Sequence, residues 1–151
     1  MYFNILILII SFVSMEAIAW LAHKYIMHGF LWIFHKDHHR PGGSAIEHND
    51  FFFLLFATPA IICFLIGFKE LSIYFWIASG ITLYGFTYFI IHDIFIHQRI
   101  KWLKKTNFAY LKAIRKAHKV HHKHMAKEDG ECFGMLWVPI KYFKEAKQHA
   151  N

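Results

Sequence analysis

Three long apolar stretches restrict this chain to few folds. Tyr2 to Ala22 holds one charged residue, Glu16, while Phe51 to Phe68 and Leu71 to Ile91 hold none. A helix that crosses the hydrocarbon of a bilayer needs about 20 mostly apolar residues. In lipid the backbone must satisfy its own hydrogen bonds, so runs of this kind are helical. The first stretch could be mistaken for a signal peptide, but it is long and has no basic leading segment, so it reads as a retained helix. The expected fold is an all-α integral membrane protein with three transmembrane helices, or four if the apolar run Phe133 to Phe143 also enters. That run is too short to span, and an interfacial or re-entrant piece is expected there.

The remaining composition agrees. The chain is 56% hydrophobic and 19% aromatic, yet carries 17 Lys and Arg against 10 Asp and Glu. That mixture suits a membrane protein with a basic aqueous part, and its apolar runs are too long for a nucleic-acid binder. At 151 residues it is at most one domain. Cys63 sits in an apolar run and Cys132 in a polar loop, a poor arrangement for a disulfide and compatible with a reducing compartment.

Cationic residues set the expected orientation, because they gather on the cytoplasmic side. With three spans, the loop His23 to Asp50 and the tail after Ile91 share one side, and that side holds sixteen of the seventeen Lys and Arg residues. The other side holds only Lys69, in the tight Lys69-Glu70 turn. The protein is therefore expected in the inner (cytoplasmic) membrane as a multi-pass protein, its polar chain cytoplasmic. Phe108 to Met125 has helical periodicity and carries lysines expected near anionic headgroups. The cluster Arg40-Pro41-Gly42-Gly43-Ser44 should end the helix that carries His35 to His39, and Pro59 could kink the second span.

Ten of the thirteen histidines form two copies of one pattern. His23-x4-His28 is followed by His35-x2-His38-His39, and His92-x4-His97 by His118-x2-His121-His122. All ten fall on the predicted cytoplasmic side. Neutral imidazole is the commonest protein metal ligand. Ten are too many for one ion and suit two first-row transition metals such as iron, with five imidazoles and one open octahedral position each. Within each triplet the i, i+3 and i+4 side chains share a helical face. The x4 pairs differ, since five steps of ~100° leave two side chains about 140° apart on an ideal helix. Either the helix distorts or the two members of a pair serve different positions around a two-metal centre, and the second account is preferred. Asp37 and Asp93 each adjoin a histidine and are candidates to accept its second N–H. Glu16 could reach the metal region or make a polar helix contact. His48, His124 and His149 fall outside the pattern and read as surface residues.

These residues resemble a known family. Met15-Glu16, Ala19-Trp20, His23, Tyr25, Met27-His28-Gly29, Leu31-Trp32, His35 and Asp37-His38-His39-Arg40-Pro41 are similar to the first half of bacterial β-carotene 3-hydroxylases. Tyr84-Gly85, Tyr88, His92-Asp93, His97-Gln98-Arg99, Ala117-His118, His121-His122 and Cys132-Phe133-Gly134 continue the likeness, as does the acidic turn Glu128-Asp129-Gly130-Glu131. The wider group is the membrane fatty-acid hydroxylases and sterol desaturases, which share the histidine boxes. The resemblance implies a single membrane-embedded hydroxylase domain over residues 1–151, with cytoplasmic helices capping a di-iron site ligated by the ten patterned histidines. It implies O2 as co-substrate and insertion of one oxygen atom at C3 and C3′ of the β-ionone rings, taking β-carotene through β-cryptoxanthin to zeaxanthin. The chain has no GxGxxG nucleotide fingerprint. Electrons are therefore expected from a separate ferredoxin-like carrier, whose acidic surface would suit the basic face.

The histidines alone leave alternatives open. A fatty-acid or sterol hydroxylase or desaturase, or a carotenoid C4 ketolase, would use the same boxes. A membrane metal-binding or transport protein would want polar residues through its spans, and spans two and three have none that ionise.

Overall fold

A computed structural model describes residues 1–40, 46–126, 128 and 130–148. Pro41 to Ser44 of the breaker cluster, Asp129 of the acidic turn and His149 lie outside the described residues. Among the described residues every regular element is helical. Helix α1 (Tyr2–Leu21) continues into a π-helical segment, Ala22–Phe30, and then the short α2 (Trp32–His35). A 3₁₀ turn, His48–Phe51, leads into α3 (Phe52–Gly67). Helix α4 (Ile73–Tyr88) runs on into a second π-helical segment, Phe89–Ile96, followed by α5 (Ala109–His121) and α6 (Ile140–Gln148).

Among the described residues three helical runs are long and apolar enough to cross a membrane: Tyr2–Phe30, which kinks at Gly29, His48–Gly67 and Ile73–Ile96. They turn most of their large side chains outward; Phe53 is 71% exposed and Leu65 80%. So much apolar surface suits contact with lipid, because a soluble monomer rarely presents it. Helix α4 is the central span, packed on α1 and on α3. Met15, Ala19 and Tyr84 form the buried seam between α1 and α4, with Phe12 edge-on to Tyr84 at 5.7 Å between centroids. Gly80 permits the close crossing, since a Cβ there would stand 2.5 Å from the Leu8 carbonyl oxygen and 2.6 Å from Ser11 Cβ. Small residues at such crossings let membrane helices gain van der Waals contact where no hydrophobic force draws them together.

Glu16 makes the polar helix contact and not a metal contact. Its carboxylate accepts the Tyr84 hydroxyl at 2.8 Å and the main-chain N–H groups of Leu136 and Trp137 at 2.8 Å each. One acid thereby ties α1 to α4 and to the C-terminal segment.

That C-terminal segment is not a fourth span. The apolar run Phe133 to Phe143 is irregular up to Pro139, and α6 begins at Ile140. Proline disfavours a helical residue before it and has no N–H to donate, so a helix starts after it. Helix α6 packs on α5 through Ala113, Ala117, Tyr142 and Ala146. The helix expected to carry His35 to His39 ends at His35 and passes into tight turns, with the His38 N–H on the His35 carbonyl at 3.1 Å. The end of α1, the start of α3 and the end of α4 meet at one end of the bundle. The Phe68–Leu71 turn, which contains Lys69, lies at the other.

Gly80→Ala is expected to destabilise the bundle by about 1–3 kcal/mol, the usual cost of overpacking. Gly85→Ala, where a Cβ meets nothing within 4 Å, should leave stability unchanged or slightly raised. Thermal unfolding of the two variants in detergent checks this, and equal melting points would contradict it.

Candidate metal centre

The two π-helical segments resolve the spacing of the x4 pairs. Their hydrogen bonds run from residue i to i−5, as in Leu31 N–H to Ile26 O at 3.0 Å and His97 N–H to His92 O at 2.9 Å. The wider turn brings residues five apart onto one side of the helix, and such segments are frequent at functional sites. The His23 and His28 rings lie 5.1 Å apart between centroids, and those of His92 and His97 4.5 Å. The preferred expectation, that members of a pair serve different positions, is thus corrected: the helix distorts and each pair converges.

The histidines gather into two groups. In the first, one nitrogen from each of His23, His28, His35, His39 and His121 lies within 4.8 Å of all the others. The second joins His38, His92, His97 and His118 in the same way. His122 adjoins the second group, with its Nε2 2.8 Å from His118 Nε2 and its ring 4.8 Å from those of His38 and His97. The expected convergence of each triplet is also corrected, because the triplets divide. The outer two histidines of each triplet turn to their own copy's pair, and the middle one, His38 or His121, crosses to the other group.

Hydrogen bonds at Nδ1 decide which nitrogen faces inward. His23 Nδ1 donates to the Phe133 carbonyl at 2.9 Å, His28 Nδ1 to the Met125 carbonyl at 2.9 Å, and His121 Nδ1 to the Glu131 carbonyl at 3.0 Å. His35 Nδ1 donates to Asn49 Oδ1 at 2.6 Å, and His38 Nδ1 to Glu47 Oε2 at 2.9 Å. A neutral imidazole has one N–H, so each of these Nε2 atoms carries a bare lone pair. Yet His23 and His35 bring their Nε2 atoms to 3.0 Å, and His28 and His121 to 3.2 Å. Lone pairs that close repel unless a cation lies among them. His38 Nε2 is buried with no hydrogen-bond partner. The donor set therefore fits a metal ion in each group.

Burial disfavours the charged form of His35, His39, His97 and His121. His35 is 1% exposed and His121 0%. Burial, reinforced by neighbouring imidazoles, pushes His97 down to about 3 and His39 down to about 4. Phe133 covers the first group, its ring 5.2 Å from His28 and from His121.

The outer partners differ in part from expectation. Asp93 is near His92, with Oδ2 3.4 Å from Nδ1. Asp37 instead accepts the exposed His48 through its main-chain N–H at 2.7 Å and its ring at 3.0 Å. His124 is exposed and outside both groups. Glu47 and Asn49, which hold His38 and His35, carry no spacing signal. Their one mark in the sequence is the polar run Glu47 to Asp50 directly before an apolar span.

The chain is similar to known proteins. The chain is 40% identical to a β-carotene hydroxylase of Pantoea ananas over 136 residues, 90% of this chain and 78% of that protein. It is 36% identical to a β-carotene hydroxylase of a Paracoccus species over 137 residues, 90% of this chain and 85% of that one. A chloroplastic β-carotene 3-hydroxylase of Arabidopsis thaliana is 34% identical over 131 residues, 84% of this chain and 43% of the plant protein. No solved structure matches the chain. From residue 8 to residue 142 the sequence matches the model of the fatty acid hydroxylases, and the chain belongs to that family.

Proposed function

We propose that this chain is a membrane di-iron monooxygenase that hydroxylates the β-ionone rings of β-carotene at C3 and C3′, giving zeaxanthin through β-cryptoxanthin. The observation that carries the metal chemistry is the convergence of Nδ1-anchored imidazoles whose bare Nε2 atoms crowd together. The substrate follows the relatives' names, and the position C3 follows the name of the plant relative. All ten patterned histidines are proposed as iron ligands, five to each ion, within one hydroxylase domain.

Iron bound by nitrogen ligands with an open position supplies the activation of O2. Overall, a ring C–H, O2, two electrons and two protons give a C–OH and water. The protein's part is to hold, orient and exclude. Main-chain carbonyls, Asn49 and Glu47 fix the ring orientations, and Phe133 with Trp32, 5.1 Å from His28, keeps the first group dry. The site lies where three spans end, so a carotenoid dissolved in the bilayer can bring its ring to the irons while its polyene stays in lipid. Lys101, Lys104, Lys105 and Lys119 are exposed on the polar part. They suit an acidic, ferredoxin-like electron donor. The cationic bias supports a place for this end on the cytoplasmic side of the inner membrane.

In cells that make β-carotene, expression should yield zeaxanthin with β-cryptoxanthin as intermediate, and labelled O2 should supply the hydroxyl oxygen. A keto group at C4 would make the chain a ketolase, and hydroxylated fatty acids beside untouched carotene would make it a lipid hydroxylase. Replacing His35, His38, His118 or His121 singly with Ala should abolish product while the protein still inserts. His149→Ala should leave activity near normal.

Topology is tested with reporters. One fused after Asn151 should score as cytoplasmic and one inserted at Lys69-Glu70 as external; a cytoplasmic Lys69 turn would overturn the orientation.

Acid should strip the metal. The folded protein holds His39 down to about 4 and His97 down to about 3, whereas an unperturbed histidine titrates at about 6.5. Below that ordinary value the unfolded chain binds more protons than the folded one, so stability is full above about pH 6.5 and declines as the pH falls. Protons compete with metal in the same direction. Iron retained after dialysis should be complete near neutral pH and lost on descent toward about pH 4. Retention that rises on acidification would contradict this.

A further inference from the structure

The two histidine groups are anchored by chemically different acceptors. In the first group the Nδ1 partners are all neutral: the carbonyls of Phe133, Met125 and Glu131, and the Asn49 side-chain amide. In the second they are carboxylates: Glu47 on His38 at 2.9 Å and Asp93 on His92 at 3.4 Å. One guanidinium holds both carboxylates. Arg99 reaches Glu47 at 2.7 Å through Nη2 and Asp93 at 3.2 Å through Nε, and also Asp50 at 2.8 Å through Nη1. Three carboxylates against one guanidinium leave two negative charges in the cluster. It joins the turn before α3 to the end of the α4 run, so it is built from two elements and is not the accident of one loop.

A carboxylate that accepts an imidazole N–H makes the opposite nitrogen a stronger donor, and such partners commonly set metal affinity by 10–100-fold, in rough terms. Neutral carbonyls do this less. Given the proposed di-iron function, we infer that the two centres are built unequal. The group of His38, His92, His97 and His118, with His122 beside it, binds its ion more tightly and favours the higher oxidation state. Arg99 is the positioning residue that holds Glu47 and Asp93 for this purpose. Among the described residues its hydrogen bonds and ion pairs go to Glu47, Asp50 and Asp93, so it acts on the histidines through the acids.

The test uses the full-length chain in detergent, loaded anaerobically with ferrous iron, with iron per chain, release to a chelator and Mössbauer spectra as readouts. The wild-type protein should hold two irons with two distinct signals in equal amount, one leaving before the other. Glu47→Gln keeps an acceptor and the shape but removes a charge. It should loosen the slower iron by about 10–100-fold and shift its signal alone. Arg99→Ala should weaken that same iron, whereas Asn49→Ala, behind His35, should weaken the other. Glu145→Gln, whose acid pairs with Lys116 at the surface, should change neither. Two identical signals in the wild type, or irons that leave together, would overturn the inference even if no variant folds. A Glu47→Gln protein whose two irons loosen equally would overturn it as well. A chain with two unequal irons that leaves β-carotene untouched would keep the inference and refute the proposed substrate. Hydroxylation with two identical irons would do the reverse.

Discussion

Nitrogen lone pairs facing one another at 3.0 Å are the constraint on which the rest of this structure depends. Left alone, the imidazoles would turn their rings or take up protons. The fold prevents both. Six of the ten rings are pinned from behind by an acceptor at Nδ1, and burial makes the charged form costly. Those acceptors come from distant parts of the chain: Phe133 and Met125 reach back to the end of the first span, and Asn49 and Glu47 stand before α3. This explains why the C-terminal segment is irregular around Phe133. Carbonyls engaged in a regular helix would be turned toward their own ladder and could not point at His23 or His121. Glu16 anchors the same segment by taking the Leu136 and Trp137 N–H groups, so an acid within a span indirectly supports the site.

Much of this was legible in the residues. The spans follow from runs of apolar side chains, because a bilayer leaves a helix few alternatives. The ten histidines follow from repetition, because a doubled pattern is hard to read as a set of surface residues. What escaped was anything that depends on departure from an ideal helix. A five-residue step reads as two faces of an α-helix, and only the i−5 hydrogen bonds at His97 and Leu31 convert it into one. The division of the triplets escaped for a related reason. On one ideal helix His35, His38 and His39 share a face, but α2 ends at His35 and the tight turn after it swings His38 away from its neighbours. Glu47 and Arg99 escaped because their pairing crosses 52 positions of chain and has no periodicity to mark it.

The site's position follows from the same economy. Helix ends leave main-chain groups unsatisfied, so they are natural places for polar chemistry at the edge of a bilayer. The π-helical segments extend two spans past the length that lipid requires, and the surplus turns carry His23, His28 and His92. The polar half built of α5 and α6 then closes over them. Its own core is small, a seam of alanines and Tyr142. Its attachment to the spans comes largely through the residues around the histidines.

The crossing of the middle histidines links the two halves of the chain. His121 completes the group built on His23 and His28, and His38 completes the one built on His92 and His97. Neither group can assemble from its own copy of the pattern. The first group needs α5, which lies beyond the third span, and the second needs the turn after α2, which precedes the second span. With the ligands as proposed, metal binding is coupled to closure of the whole molecule. A chain with only one half in place would offer four imidazoles to one group and a single one, the middle histidine of that half, to the other.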